Sequence, residues 1–225
     1  MENTPWRVLD IFVVLGFNIV LMVLFYGIVI LIFGTNVLDD QNSPPWLSLL
    51  GSLVECGLFV FLPVLVVTKR YHAGIKDIGL GLVIHPRALW IGLLVGVALW
   101  AVVSLVNSGV ESVFGPAPVH PDLARLRATS NVIDYLVLLF PISVLAPIAE
   151  EVYMRGFVYT ILRRRYGAVT AAMASSLLFA AFHLSLWYFF PIFVTGLGLA
   201  WLREKYQSVA PAIVAHAVIN LLAAL

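Results

Sequence analysis

Residues 132–162 read VIDYLVLLFPISVLAPIAEEVYMRGFVYTIL. A helix needs about 20 apolar residues to cross a bilayer, and this run is longer than that. It nevertheless carries Glu150, Glu151 and Arg155 in its interior. An ionisable side chain in hydrocarbon costs several kcal/mol, so such residues mark either a functional site or a charge pair that fixes packing. On one helix Glu151 and Arg155 share a face. Glu150 is rotated about 100° from Glu151 and has no partner on its own helix. One carboxylate is thus neutralised locally, and the other is left for a different role. Pro141 and Pro147 each remove a backbone donor, which predicts a kink or a division into two shorter helices.

The rest of the chain follows the same pattern. Of its 225 residues 62% are hydrophobic and 11% are charged, and its mean hydropathy is +1.02. Soluble domains carry about 25% charged residues, so a bilayer must solvate the remaining apolar surface. The reading is an all-α, polytopic transmembrane helical bundle of about seven or eight spans, forming a single integral-membrane domain over residues 1–225. The expected spans are Val8–Phe33, Leu47–Thr68, Ala88–Phe114, Val132–Leu162, Ala168–Leu184, Trp187–Leu202 and Val209–Leu225. The first is too long for the apolar region of a signal peptide and is expected to be retained. A net charge of +1 gives no basic face for nucleic acid. Cys56 is the one cysteine, so no internal disulfide forms and the redox compartment is unreadable.

Lysine and arginine mark the cytoplasmic side. Arg7, the group Lys69, Arg70, Lys76 and Arg87, the run Arg163–Arg165, and Arg203 with Lys205 are expected there. The loop with Asp39 and Asp40 lacks basic residues and is placed outside. Arg125 and Arg127 make the loop 115–131 ambiguous, and alternation of spans places it outside as well. For seven spans the N-terminus is inside and the C-terminus outside. The membrane is expected to be the bacterial cytoplasmic one.

Depth can be counted from the nearest basic anchor at about 1.5 Å per residue. Glu150 then lies about 20 Å from Arg163, His183 about 24 Å from Gly167, His216 about 17 Å from Lys205 and Asn220 about 22 Å from Lys205. Three separate helices bring polar groups to one level, near the middle of a hydrocarbon core about 30 Å thick. Phe179 and His183 share a helix face, as do His216 and Asn220. Two carboxylates, two imidazoles, an amide and a guanidinium are the parts of a hydrolytic centre. A carboxylate in a poorly hydrated setting is a good acceptor for a proton from water. Histidines can hold a divalent metal or stabilise an oxyanion.

Glu150-Glu151-x-x-x-Arg155, Phe179-x-x-x-His183 and His216-x-x-x-Asn220 resemble, in order, the three motifs of the CAAX prenyl protease and bacteriocin-processing (CPBP, or Abi) family, which includes the type II CAAX prenyl endopeptidases. The resemblance covers about residues 132–225. It implies an intramembrane endopeptidase acting on membrane-associated peptides, prenylated CAAX-type or leader sequences among them. It implies Glu150 as the base that activates water, with His183, His216 and Asn220 completing the centre and Glu151 and Arg155 beside it. Two versions stay open. In one, His183 and His216 with a carboxylate bind a divalent metal, zinc first, whose water ionises near neutral pH. In the other, Glu150 acts without a metal. There is no His-Glu-x-x-His helix, so a conventional zincin site is not expected.

Blander readings stand beside these. Glu151 with Arg155 makes a packing pair without any chemistry. His183 sits near a span end, and Asn220 fits an interhelical hydrogen bond. Phe179 reads as packing, as do Gly196 and Gly198. Glu55 falls at the level of the site and is expected to pair with Asn18 or Asn107, or to serve as an accessory carboxylate. Trp187 and Tyr188 mark the outer interface. His72, His85 and His120 read as solvated loop residues. Two further functions are weighed: a non-catalytic membrane protein binding a peptide or lipid, and a proton-coupled transporter, against which the lack of an inverted repeat counts. The cavity of an enzyme is expected to open towards the cytoplasm.

Overall fold

The computed structural model describes residues 6–38, 43–81 and 86–225; Asp39, Asp40 and His85 fall outside these. The architecture is a bundle of helices, with no strand among the described residues. Five helices are long and apolar enough to cross a membrane: α1 (Val8–Phe33), α2 (Pro45–Arg70), α3 (Pro86–Phe114), α5 (Val132–Tyr166) and α7 (Leu186–Tyr206). Two apolar helices are shorter, α6 (Ala168–Phe182) and α8 (Ala210–Ala224). The eight-residue α4 (Pro121–Ala128) lies between α3 and α5.

Of the two outcomes expected for the fourth run, one span or two shorter helices, the structure has the single helix. α5 is continuous over 35 residues, with widened π-helical turns at Pro141–Leu145, which opens on its first proline, and at Val152–Val158. In the first of these the Ala146 N–H reaches back to the Pro141 carbonyl. The matching donor for Ile142 is Pro147, which has no N–H. The orphaned carbonyl is instead met by Asn220 Nδ2 from α8, at 2.9 Å. Wide turns of this kind concentrate at functional sites, and here both flank the Glu150–Glu151 pair.

The ends rich in lysine and arginine meet physically. Asp10, in the first turn of α1, is buried and pairs with Arg70 at the end of α2 at 3.1 Å, and it also accepts from the Tyr71 hydroxyl. Trp6 stacks on Tyr71, and Arg164 of α5 lies over the Trp6 ring. Arg163 pairs with Glu204 of α7, and Arg164 with Asp77. Arg203 departs from the expected solvated anchor. It is 4% exposed, and its Nε donates to the Arg155 carbonyl at 3.1 Å. At the other end Arg125 donates to the Ser43 carbonyl and to Ser48, so its charge is occupied in closing a loop.

The first three helices are not a passive annex. Gly92 and Gly96 of α3, spaced as a small-xxx-small pair, seat α8 directly. A Cβ at Gly92 would lie 2.5 Å from the Pro211 carbonyl oxygen, and one at Gly96 would lie 2.7 Å from that of Ala215. Gly96→Ala is therefore expected to cost about 1–3 kcal/mol, as overpacking does, and to lower the melting temperature in detergent. Gly109→Ala on the same helix is the control, because nothing lies within 4 Å of its Cβ position. Equal melting of the two variants would show that α3 and α8 are not in close contact.

Candidate active site

The site is built on α5, α6 and α8, with a carbonyl from α7. Glu151 and Arg155 are both fully buried, and Arg155 donates to Glu151 Oε1 at 2.9 Å. The other arm of the guanidinium donates to the Gly196 carbonyl of α7 at 3.0 Å. Gly196 packs on Ser176 of α6 so closely that a Cβ would lie 2.8 Å from the serine Cβ. The Glu151–Arg155 pair thus fastens three helices, α5, α6 and α7, at one level.

His216 of α8 joins the two adjacent carboxylates. Its Nδ1 lies 3.1 Å from Glu151 Oε1, the same oxygen that binds Arg155. Nδ1 must carry hydrogen to donate to a carboxylate, and this assigns the ring orientation. Nε2 is then turned to Glu150 Oε2, at 3.8 Å. That separation is beyond a direct hydrogen bond. Glu150 is about one-third exposed, against none for Glu151. Its Oε2 is nonetheless enclosed and has no hydrogen-bond partner. The two neighbours in sequence are thereby separated in role: Glu151 is fixed by an arginine and an imidazole, and Glu150 is held by neither.

Phe179 ties in the remaining motif. Its ring carries the Arg155 guanidinium 4.5 Å above its centroid. It also meets His183 edge-on at 4.9 Å and His216 edge-on at 5.7 Å. His183 caps the end of α6, outside the helical residues of the expected span Ala168–Leu184. Its Nδ1 is engaged with the Phe179 carbonyl at 2.8 Å, which leaves Nε2 as its free atom. α6 has only 15 residues and rises about 22 Å, so its end falls at the level of the charged cluster. The chain then turns at Leu184 and Leu186, both more than 90% exposed. His183 is itself exposed, so this edge of the site lies at the end of α6 remote from Arg163–Arg165. Asn220 stands one turn beyond His216, with one amide hydrogen already given to Ile142.

A catalytic zinc takes three nitrogen, sulfur or carboxylate ligands from the protein and keeps a fourth position open. Among the described residues no three His, Cys, Asp or Glu side chains are grouped to hold a metal ion. Glu151 is committed to Arg155, and the Phe179 ring packs against both histidines. His183 and His216, the metal ligands that the resemblance implies, are not joined by a third such side chain among the described residues, and no chemical step below runs through a metal.

Some features of the site are not evident from the sequence. Phe179 packs, as its spacing predicts, but against three of the site residues at once. Arg203 lies under the Arg155 carbonyl, where its sequence position predicts a surface anchor. The Gly92–Gly96 pair carries a signal that could have found it, a small-xxx-small motif in an apolar run. Glu55 and Asn18 line one groove and are not bonded to each other. Tyr188 and Trp187 hold the loop after α3, through the Pro118 carbonyl and Phe114 respectively. His72 and His120 are exposed, as expected.

Residues 132–222 match the family model described as Type II CAAX prenyl endopeptidase Rce1-like. That segment contains α5, α6, α7 and nearly all of α8, and so every residue of the site. No curated protein and no solved structure matches the chain.

Proposed function

We propose that this multi-pass membrane protein, which matches the CAAX prenyl endopeptidase family model over residues 132–222, hydrolyses peptide bonds of membrane-associated peptides with Glu150 as the base. The observation that carries the reading is the 3.8 Å gap between Glu150 Oε2 and His216 Nε2. The exposed part of the Glu150 side chain seats the attacking water beside His216. Glu150 takes its proton, and the oxygen adds to the carbonyl carbon of the scissile bond. The C–N bond then breaks, and the proton held on Glu150 passes to the leaving amine. A base of this kind contributes about 10²–10⁴-fold to the rate.

The other residues have positioning and electrostatic roles. Glu151 fixes the tautomer and orientation of His216, as a carboxylate does for a catalytic imidazole. Arg155 balances the charge of Glu151 and holds it in place. The second amide hydrogen of Asn220 is the group we assign to the developing oxyanion, as a preorganised donor, while His183, whose Nδ1 donates to the Phe179 carbonyl, leaves Nε2 as an acceptor that we assign to a substrate N–H. Phe179 keeps the two imidazoles and the guanidinium in register. Prenylated CAAX-type peptides and leader peptides are the substrate classes we propose.

The test works without a known substrate. Wild type and Glu150→Gln are made at equal levels in the native host, and all new peptide termini are compared by mass spectrometry. Termini found only with wild type are expected, clustered near membrane segments. Identical profiles from two folded, equally abundant proteins would sink the protease reading and leave a peptide- or lipid-binding protein.

A further inference from the structure

A groove of about 540 Å³ runs between α1 and α2, outside the segment that matches the family. Its walls are apolar, with Ile19, Met22 and Phe59 among them, but Asn18 and Glu55 also face it. Asn18 is 2% exposed. Its Nδ2 donates to the Val14 carbonyl at 3.0 Å, which assigns the amide, and its buried Oδ1 has no partner. Glu55 presents a second acceptor to the same groove. Both polar groups lie deep in the bilayer, about 16 Å from Arg7 and about 21 Å from Lys69 along their helices.

The groove adjoins the stretch of α5 that carries Glu150. Phe59 on its wall meets Tyr153 edge-on at 5.2 Å, three residues past Glu150 on α5. α2 packs along the same part of α5.

Two acceptors in an apolar groove select a ligand that donates hydrogen bonds. At this depth the cationic headgroups of lipids are out of reach. A polypeptide must be extended to be cut, and an extended strand in hydrocarbon has backbone N–H groups in need of acceptors. Building on the protease reading, we propose that the α1–α2 groove binds the extended backbone of the substrate beside its scissile bond, with Asn18 Oδ1 and the Glu55 carboxylate accepting its N–H groups. The first two helices would then present the substrate to a site whose chemistry lies wholly on α5 to α8.

The test measures binding, so it does not depend on turnover. The Glu150→Gln protein is placed in lipid nanodiscs. Two fluorescent probes are titrated against it, a farnesylated CAAX-type peptide and an unprenylated single-span peptide. Each is also made with its backbone amides methylated one at a time, which deletes a donor without touching the protein. For at least one probe, methylation at one or two positions is expected to weaken binding about tenfold, the change that one hydrogen bond carries. In Asn18→Leu and Glu55→Met backgrounds, which delete the acceptors, the same methylations are expected to have little further effect. Binding that is indifferent to every methylation, or binding of neither probe, overturns the groove assignment. The comparison of peptide termini decides separately whether the chain is a protease.

Discussion

Glu150→Gln is expected to lower turnover by about 10²–10⁴-fold, the contribution of a positioned general base, and to leave the fold intact. The two halves of that statement have separate grounds. The loss follows from chemistry: an amide keeps the shape of the carboxylate but cannot take a proton from water. The preserved fold follows from the surroundings. Glu150 is about one-third exposed and its side chain makes no hydrogen bond to the protein, so its replacement is expected to change stability by about 0.5 kcal/mol or less. Steady-state cleavage of a reconstituted peptide, with thermal melting of the same preparation, measures both. Cleavage at the wild-type rate would remove Glu150 as the base. A collapse in melting temperature would give it a structural role that its surroundings do not show.

Arg155→Ala should have the opposite signature, losing the folded protein together with its activity. The ion pair with Glu151 is fully buried on both sides, and breaking such a pair from one side costs about 3–5 kcal/mol because the surviving charge is stranded. The Gly196 carbonyl loses its donor as well. Arg155→Lys is not a conservative change here, since one ammonium does not reproduce a planar fork that spans Glu151 and Gly196. The informative variant is Glu151→Gln with Arg155→Met. Removing both charges restores much of the stability, since a buried pair exchanged for uncharged groups is often neutral. Activity is not restored, because His216 has then lost the carboxylate that orients it. Melting temperature and cleavage rate measured on the single and double variants close this cycle. A folded and fully active Arg155→Ala protein would refute the pairing.

The two expectations differ although Glu150 and Glu151 are adjacent in sequence. Their separation in role began as a rotation of about 100° on one helix. That rotation is a property of the sequence. What each carboxylate then meets is a property of the packing.

The chain's own residues decided the fold class. Apolar runs with basic ends leave the backbone no choice in hydrocarbon except to pair within itself, so they form helices. The same constraint makes charged and polar residues inside such runs conspicuous, which is why Glu150, Glu151, Arg155, His183, His216 and Asn220 are all legible in one dimension. The Glu151–Arg155 pair is legible too, because it is local.

Everything between helices was decided only in the tertiary structure. Spacing cannot say that Glu151 divides one oxygen between Arg155 and His216, or that the far ring nitrogen of His216 is turned to Glu150. It cannot say that Asn220 gives an amide hydrogen to a carbonyl freed by Pro147, or that Arg203 is drawn under the Arg155 carbonyl. Nor does it show that α3, far from every motif, sets the position of His216 through Gly92 and Gly96. Helix formation is a contest between neighbours along the chain, settled by local hydrogen bonds and the bilayer. Helix packing joins residues tens of positions apart through close contacts and single hydrogen bonds, and one-dimensional order carries no record of which of those contacts form.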